Sequence, residues 1–374
     1  MSTATEQSQI VDLAREFART RIEPNAAAWD QKAHFPTDVV SELGSSGFLG
    51  LVTAESHAGM GLDALTYLLV LEEIAAGDAG LAVSMNIHHG VQHGLLARHG
   101  SPAQQERWLR PLAAGELLAA LAVSEPDAGS DPAALRTQAV RRGDAWVLSG
   151  TKAWVTNGAA AGVVVVLARS PAGVSAFLVP TDAKGYRAGP PADTMGLRSA
   201  NVVSVTLDGV EIAADHLLGD EGQGLSYAQH ALDFTRLGTA GLAVGVARRA
   251  LEHAVGYCGE RRQFGKALRE FEAVQFKLAD MATRVAAARA LAHETAVRAE
   301  RGDTLTPLAS MAKLCAAEAV MWVTTQAVQL FGGYGYMRDF PVEKLMRDAK
   351  AMELYDGTSE LQRLIVARDL YTGR

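Results

Sequence analysis

The sequence predicts a mainly α-helical protein with a β domain inserted between two helical halves. Three observations carry this: helix-period apolar patterning as far as residue 117, short β-rich runs between turn residues over 118–224, and long helical stretches over 225–374. Those ranges are the three expected domains.

In the first, Ile10, Leu13, Phe17 and Ile22 are spaced for one apolar helix face, and the preceding MSTATEQSQ supplies a polar cap. A helix over Ala64–Ala76 follows, carrying Glu72 and Glu73 near its end. Gly59-Met60-Gly61-Leu62-Asp63-Ala64 fits GxGxxA ahead of it, but no strand precedes and no βαβ alternation surrounds it. It reads as a helix-start turn with Asp63 as cap, not a dinucleotide fingerprint. Leu81–His99 and Gln104–Ala114 continue the helices, the second entered through Ser101 and Pro102. In the middle domain Ala145–Ser149, Ala153–Thr156, Val163–Ala168, Ser175–Val179 and Val202–Asp208 read as strands. Gly143-Asp144, Asn157-Gly158 and Asp208-Gly209 read as turns between them. Ser226–Cys258, Phe271–Arg301, Pro307–Leu330 and Pro341–Leu354 then read as helices, most of them long enough to pack along one another as a bundle.

A chain of 374 residues has room for two or three domains, and 48% apolar with 21% charged residues is ordinary for a soluble protein. The net charge of −7, with both signs interspersed, excludes a clustered basic face and hence nucleic acid as the main partner. No apolar run approaches the roughly 18 residues of a membrane span. The N-terminus has charges where a signal peptide needs its apolar stretch, so a cytoplasmic location is expected. Cys258 and Cys315 lack a CxxC context, are expected buried in helices, and point to neither a disulfide framework nor zinc. Of His88, His89 and His93 only the last two share a helix face, with no acid to complete a set; no metal is expected.

Five segments carry chemistry. In SEPDAGSD, Ser124–Asp131, small residues and the hydroxyls of Ser124 and Ser130 let backbone N–H groups approach a polar ligand; a plain turn before a strand has the same composition. In GTKAWVTNG, Gly150–Gly158, Trp154 stands beside Thr156, although a strand Trp is ordinarily core or interface. Arg261 and Gln263 precede Phe264-Gly265-Lys266 at a break between helices, where an Arg can pair bidentately with pyrophosphate; Arg262 reads as a solvated neighbour. In QLFGGYGY, Gln329–Tyr336, Gly332 and Gly333 fit a helix C-cap, a close approach to a dinucleotide, or both. Last, Tyr355-Asp356-Gly357-Thr358 ends a helix at a glycine and offers a carboxylate to a cavity; a helix-terminal turn Asp is the alternative.

Taken in order, and with PVEKLMRDAK (Pro341–Lys350) and YDGTSELQRLIVAR (Tyr355–Arg368), these motifs resemble the acyl-CoA dehydrogenases over nearly the whole chain. The resemblance implies an N-terminal helical domain, a central β-barrel-like domain and a C-terminal four-helix bundle, assembled as a homotetramer, a dimer of dimers. It implies FAD, with Val123, Ser124, Gly129, Ser130, Trp154, Val155 and Thr156 on the flavin side. Arg261, Gln263, Phe264, Gln329, Gly332 and Gly333 would take the pyrophosphate and adenine, usually of a neighbouring subunit's cofactor, and Thr358 and Glu360 complete the cofactor set. Ser130, Asp233, Arg236, Tyr355 and Gly357 are the implied substrate contacts. Asp356 stands where many family members have Glu, the base that removes the α-proton of the thioester. The other position from which relatives take a base, after Leu232-Asp233-Phe234, is Thr235 here and cannot serve. The implied reaction holds the thioester carbonyl between the Asp356 N–H and a ribityl hydroxyl, passes the β-hydrogen to flavin N5 beside Thr156, and yields a trans-2-enoyl thioester. Acyl-CoA or an acyl carrier protein thioester is the implied substrate, and an electron-transfer flavoprotein the implied acceptor. The departure is Asp for Glu, shorter by one C–C bond of about 1.5 Å. Asp is also what nitroalkane oxidases of this fold use, so a nitroalkane-type oxidase and a non-catalytic FAD-binding homologue stand as alternatives.

Overall fold

A computed structural model describes residues 4–372. The N-terminal helices are α1 (Ala4–Phe17), α2 (Glu23–Lys32), α3 (Thr37–Ser45), α4 (Ala64–Gly77) and α5 (Ala79–His89), followed by the short turns α6 (Ala97–His99), α7 (Pro102–Gln104) and α8 (Arg110–Ala113). The cap expected for α1 lies outside the described residues. Its buried stripe is Ile10 and Ala14, continued beyond its end by Ala18 and Ile22, while Leu13 is 62% exposed, contrary to its expected place. The alanines win because α4 lies close: a Cβ on Gly77 would meet Ile22 at 3.0 Å and Ala18 at 3.4 Å. Asp63 caps α4 as expected, accepting from Thr66 N, and Ser101 and Gln104 form a capping box at α7.

The helix expected over Leu81–His99 is not one α-helix. After α5 it widens into a π-helical segment, Gly90–Leu96, and a second such segment, Gln105–Leu109, interrupts the next expected helix. The first lies where two backbones touch: a Cβ on Gly90 would meet Thr235 Cγ2 at 2.4 Å, and one on Gly94 would meet Ala231 Cα at 2.5 Å.

The central strands are β1 (Ala119–Ala122), β2 (Gln138–Arg142), β3 (Ala145–Thr156), β4 (Val163–Ser170), β5 (Gly173–Pro180), β6 (Tyr186–Pro191), β7 (Val202–Ala213) and β8 (Leu217–Leu218). They form one mixed sheet in the order β6-β7-β3-β2-β4-β5-β8, with β1 parallel to β4. The runs expected as separate strands at 145–149 and 153–156 are a single strand, β3. Asp208-Gly209, expected as a turn, is a bulge inside β7, where Leu148 pairs Val210 and Gly150 pairs Leu207. A second bulge falls on β3 itself, since Lys152 pairs Val205 and Val155 pairs Val203; it displaces Ala153 and Trp154 from the ladder.

The C-terminal half holds α9 (Gly224–Glu260), the small ribbon β9 (Arg262–Gln263) and β10 (Lys266–Ala267), α10 (Glu272–Glu300), α11 (Leu305–Phe331), α12 (Val342–Met352) and α13 (Ser359–Thr372). By length and composition Leu305–Tyr336 is apolar enough to cross a membrane, contrary to expectation, but half of its most apolar window is buried and α11 packs between α9 and α10 as a core helix. Cys258 is buried as expected; Cys315 is only half-buried. On α9 the face toward α4 and α5 carries Gly238, Gly241 and Gly245. A Cβ at these positions would meet Asn86 Oδ1 at 2.0 Å, Leu68 Cδ2 at 2.8 Å and Glu72 O at 2.2 Å. At Gly245 backbone meets backbone and neither side can yield. Gly245→Ala is therefore expected to destabilise the fold by about 1–3 kcal/mol, read as a lower urea midpoint; an unchanged midpoint would contradict this packing.

Candidate active site

Asp356 lies in the turn between α12 and α13. The expected helix end at Gly357 comes earlier, at Met352, and the carboxylate is presented by backbone in the left-handed region, φ 55° at Asp356 and 93° at Gly357. For an L-residue this conformation costs about 1–2 kcal/mol, and the surroundings hold it in place. Arg236 Nε on α9 donates to Asp356 O at 2.9 Å. Gln362 Nε2 on α13 donates to the same oxygen at 3.1 Å and to Gly357 O at 2.8 Å. Lys313 Nζ on α11 donates to Gly357 O at 2.8 Å. Three helices thus grip two consecutive carbonyls, while the N–H groups of Asp356, Gly357 and Thr358 find no acceptor among the described residues. Three free donors at the start of α13 suit a developing oxyanion.

Around the carboxylate, Thr239 Oγ1 stands 3.4 Å from Oδ2 and Thr235 contributes a second hydroxyl. Burial pushes the Asp356 carboxyl above its ordinary range, and Thr235, Lys313, Arg236 and Thr239 oppose that rise. Behind it Tyr67 OH donates to Asn86 Oδ1 at 2.8 Å, and Asn86 Nδ2 donates to Thr235 O at 2.9 Å. Tyr355 packs at the same place, its hydroxyl raised by burial and by the Asp356 charge.

Asp233 and Arg236, expected to touch the substrate, are engaged with each other within the protein. Both are buried, 4% and 2% exposed, and pair with each other at 3.1 Å. Asp233 also accepts from Gln229 at 2.6 Å and Thr306 at 2.5 Å. Arg236 thereby links Asp233 to the backbone carbonyl of Asp356 inside the bundle. Ser130 is exposed and open to a ligand. His88, His89 and His93 are packed and neutral, burial taking them to about 3, 4 and 4, and no metal-binding group of three acids, Cys or His occurs among the described residues.

The β-domain segments expected at the flavin are brought together by a contact not foreseen from sequence. Lys152 and Glu125 form a buried ion pair at 2.8 Å, Lys152 Nζ donates to Val123 O at 3.1 Å, and Ala153 N donates to Ser124 O at 2.9 Å. The turn bearing Ser124, Gly129 and Ser130 is thereby clamped to the β3 bulge. There Trp154 has φ 59° and leaves its ring 69% exposed, with Val155 buried and Thr156 half-buried beside it. An indole pushed off a strand by a bulge and left bare is a surface shaped for a flat partner.

The second cofactor group gathers at the far end of α9 and α11. The Arg261 guanidinium lies 5.5 Å from the centroid of Tyr334, which joins the Arg261–Phe264 segment to the glycine turn after α11. Gln263 and Gln329 are exposed, Phe264 is 94% exposed at φ 50°, and Arg262 donates to Gly265 O at the surface. Gly332, at φ 62° and ψ −138°, caps α11, and a Cβ on Gly332 or Gly333 would meet nothing within 4 Å. Helix cap and open cradle therefore coincide. Thr358 caps the first turn of α13, accepting from Leu361 N at 3.3 Å, with Glu360 exposed next to it. The donor set, a bared indole, amides, an Arg and open glycine backbone, fits a flavin dinucleotide.

Fold and site together define a flavin-type dehydrogenase with a half-buried carboxylate, that of Asp356, in the turn between α12 and α13. The chain belongs to the acyl-CoA dehydrogenase family: the family's N-terminal domain matches residues 4–116, its middle domain 120–210 and its C-terminal domain 222–371. It is 37% identical over 378 residues to an acyl-CoA dehydrogenase of Bacillus subtilis, covering all of both chains. It is 40% identical over 361 residues to the mitochondrial short-chain specific acyl-CoA dehydrogenase of Bos taurus, covering 95% of this chain and 88% of that one. The butyryl-CoA dehydrogenase structure from Megasphaera elsdenii superposes with a TM-score of 0.97 at 35% identity, covering 99% of each chain. Membership makes this protein an FAD-dependent oxidoreductase of acyl thioesters.

Proposed function

We propose that this enzyme desaturates an acyl-CoA between Cα and Cβ, with Asp356 as the base for the α-proton. One observation carries the reading: the turn that bears Asp356 is held through its backbone carbonyls by three helices, with a threonine hydroxyl at the carboxylate and unpaired N–H groups along its backbone among the described residues. The substrate carbonyl receives hydrogen bonds from that backbone, at roughly 3 kcal/mol per donor in the transition state. Asp356 accepts the α-proton on Oδ. Bound FAD supplies the two-electron acceptor for the β-hydrogen. Val123, Ser124, Gly129, Ser130, Trp154, Val155 and Thr156 would hold its flavin end. Arg261, Gln263, Phe264, Gln329, Gly332 and Gly333 would hold the dinucleotide end, with Thr358 and Glu360 completing the set. The bare aromatics Phe264 and Tyr336, 94% and 87% exposed, support a homotetramer in which neighbours cover them. An electron-transfer flavoprotein takes the electrons onward.

The test is anaerobic titration with acyl-CoAs of increasing length and with the matching acyl carrier protein thioesters. A short acyl-CoA is expected to bleach the visible flavin band. Bleaching by nitroethane with peroxide formation, or by nothing at all, would overturn the proposal in favour of an oxidase or a non-catalytic homologue.

A further inference from the structure

Lys313 is fully buried in α11, among the buried alanines Ala309, Ala312, Ala316 and Ala317. An ammonium has three donors, and among the described residues the one hydrogen bond it makes is that to Gly357 O. No carboxylate lies within 4 Å of it among the described residues. This is not how the chain treats its other inward lysines: the buried Lys152 pairs directly with Glu125, and the largely buried Lys344 lies between Asp78 at 2.9 Å and Asp348 at 2.7 Å. A buried cation without a direct partner is costly, so its charge must be answered nearby. The charged groups facing it are Asp356, Arg236, Glu353 and Glu360. Glu353 is already paired with Lys350, and Glu360 stands in solvent at the start of α13. Arg236 is matched by Asp233. What remains is Asp356, one residue from the carbonyl that Lys313 holds.

We propose that Lys313 is a positioning residue for the reaction: its ammonium is the counter-charge that keeps Asp356 a carboxylate before substrate binds, while its hydrogen bond fixes the turn. The inference rests on Asp356 being the base, but its central claim concerns a charge pair that exists without substrate. Burial moves both groups toward their neutral forms, and each charge opposes that movement in the other. Burial lowers Lys313 to about 8 against the pull of Asp356, and burial raises Asp356 against the pull of Lys313 and Arg236. The carboxylate is also faced by the hydroxyls of Thr235 and Thr239 and by Tyr67 and Tyr355, none of which carries a charge near neutral pH.

The experiment is an infrared pH titration of the FAD-loaded enzyme, with the Asp356 carboxyl band assigned by its loss in Asp356→Asn. In Lys313→Gln, which keeps a donor for Gly357 O, and in Lys313→Met, which does not, the Asp356 titration is expected to move upward by at least about one pH unit. In the unmodified enzyme the carboxylate band is expected to shift a second time near pH 8, as Lys313 loses its proton. A Lys313→Gln titration that coincides with the unmodified one overturns the proposal, because loss of structure alone does not favour the protonated acid. If neither variant folds, the second shift in the unmodified enzyme decides, and its absence overturns the proposal. If no thioester bleaches the flavin, the desaturation reading fails while the infrared result stands.

Discussion

Asp356→Asn is expected to retain FAD and to lose reduction by acyl-CoA by about 10²- to 10⁴-fold. The structure says why the loss is confined to chemistry. The grips on this turn, from Arg236, Gln362 and Lys313, all act on the carbonyls of residues 356 and 357 and none acts on the side chain. Asn, like Asp, also tolerates the left-handed backbone at φ 55° better than other residues with a Cβ. Thr235 and Thr239 keep an amide oxygen to hydrogen-bond. What the amide cannot do is accept a proton from carbon. Stopped-flow bleaching gives the rate, and the ratio of flavin to protein absorbance gives the cofactor content. Reduction at the unmodified rate would remove Asp356 from the mechanism. The pH profile has a defined sign. A base works as its carboxylate, and burial raises this carboxyl, so the rate rises with pH through a point above the usual Asp range. It falls again near pH 8 as the Lys313 charge disappears.

The long helices and the β insertion were legible because local patterning and tertiary burial agree there: α9, α10 and α11 each begin and end within a few residues of the expected bounds. The turn motifs were legible as segments, but not in their internal logic. Trp154 reads as a strand residue, yet its exposure depends on a bulge fixed by β7, which is 50 residues away in sequence. Asp208-Gly209 has the composition of a hairpin turn, and register with β3 makes it a bulge instead. The π-helical widening at Gly90 reflects contact with α9, which no helix-period count in α5 can register. The burial of Asp233 and Arg236 depends on elements packed over α9, which their own segment of sequence does not show. Lys313 did leave a trace: a lone cation in the apolar stretch from Ala309 to Val320 is out of place unless it has a buried task. Glu125, Gln362, Asn86 and Thr239 left none, since each acts through a partner on a different element.

Arg236→Met is expected to destabilise the fold by about 3–5 kcal/mol, the largest single effect on stability in this site. Met fills the volume of the side-chain stem, so the loss is electrostatic rather than a cavity. It leaves Asp233 as a buried carboxylate supported only by Gln229 and Thr306, and it takes one of two donors from Asp356 O. Breaking one side of a buried pair costs more than removing both, because the survivor's charge stays buried. The double replacement Arg236→Met with Asp233→Asn should therefore recover most of the stability, although not the grip on Asp356. The pH dependence separates the two losses. Burial already raises the Asp233 carboxyl while Arg236 pulls it down, and removing the arginine raises it further. A folded-state value above the unfolded one means stability that is present at low pH and lost as pH rises through the folded value. The deficit of Arg236→Met should thus shrink on acidification, and the double variant should show no such trend. Urea unfolding across pH measures the first loss, and the rate of flavin reduction at a fixed folded fraction measures the second. Equal destabilisation of the single and double variants would mean that Arg236 acts through packing, and the turn bearing Asp356 would need another account of its left-handed geometry.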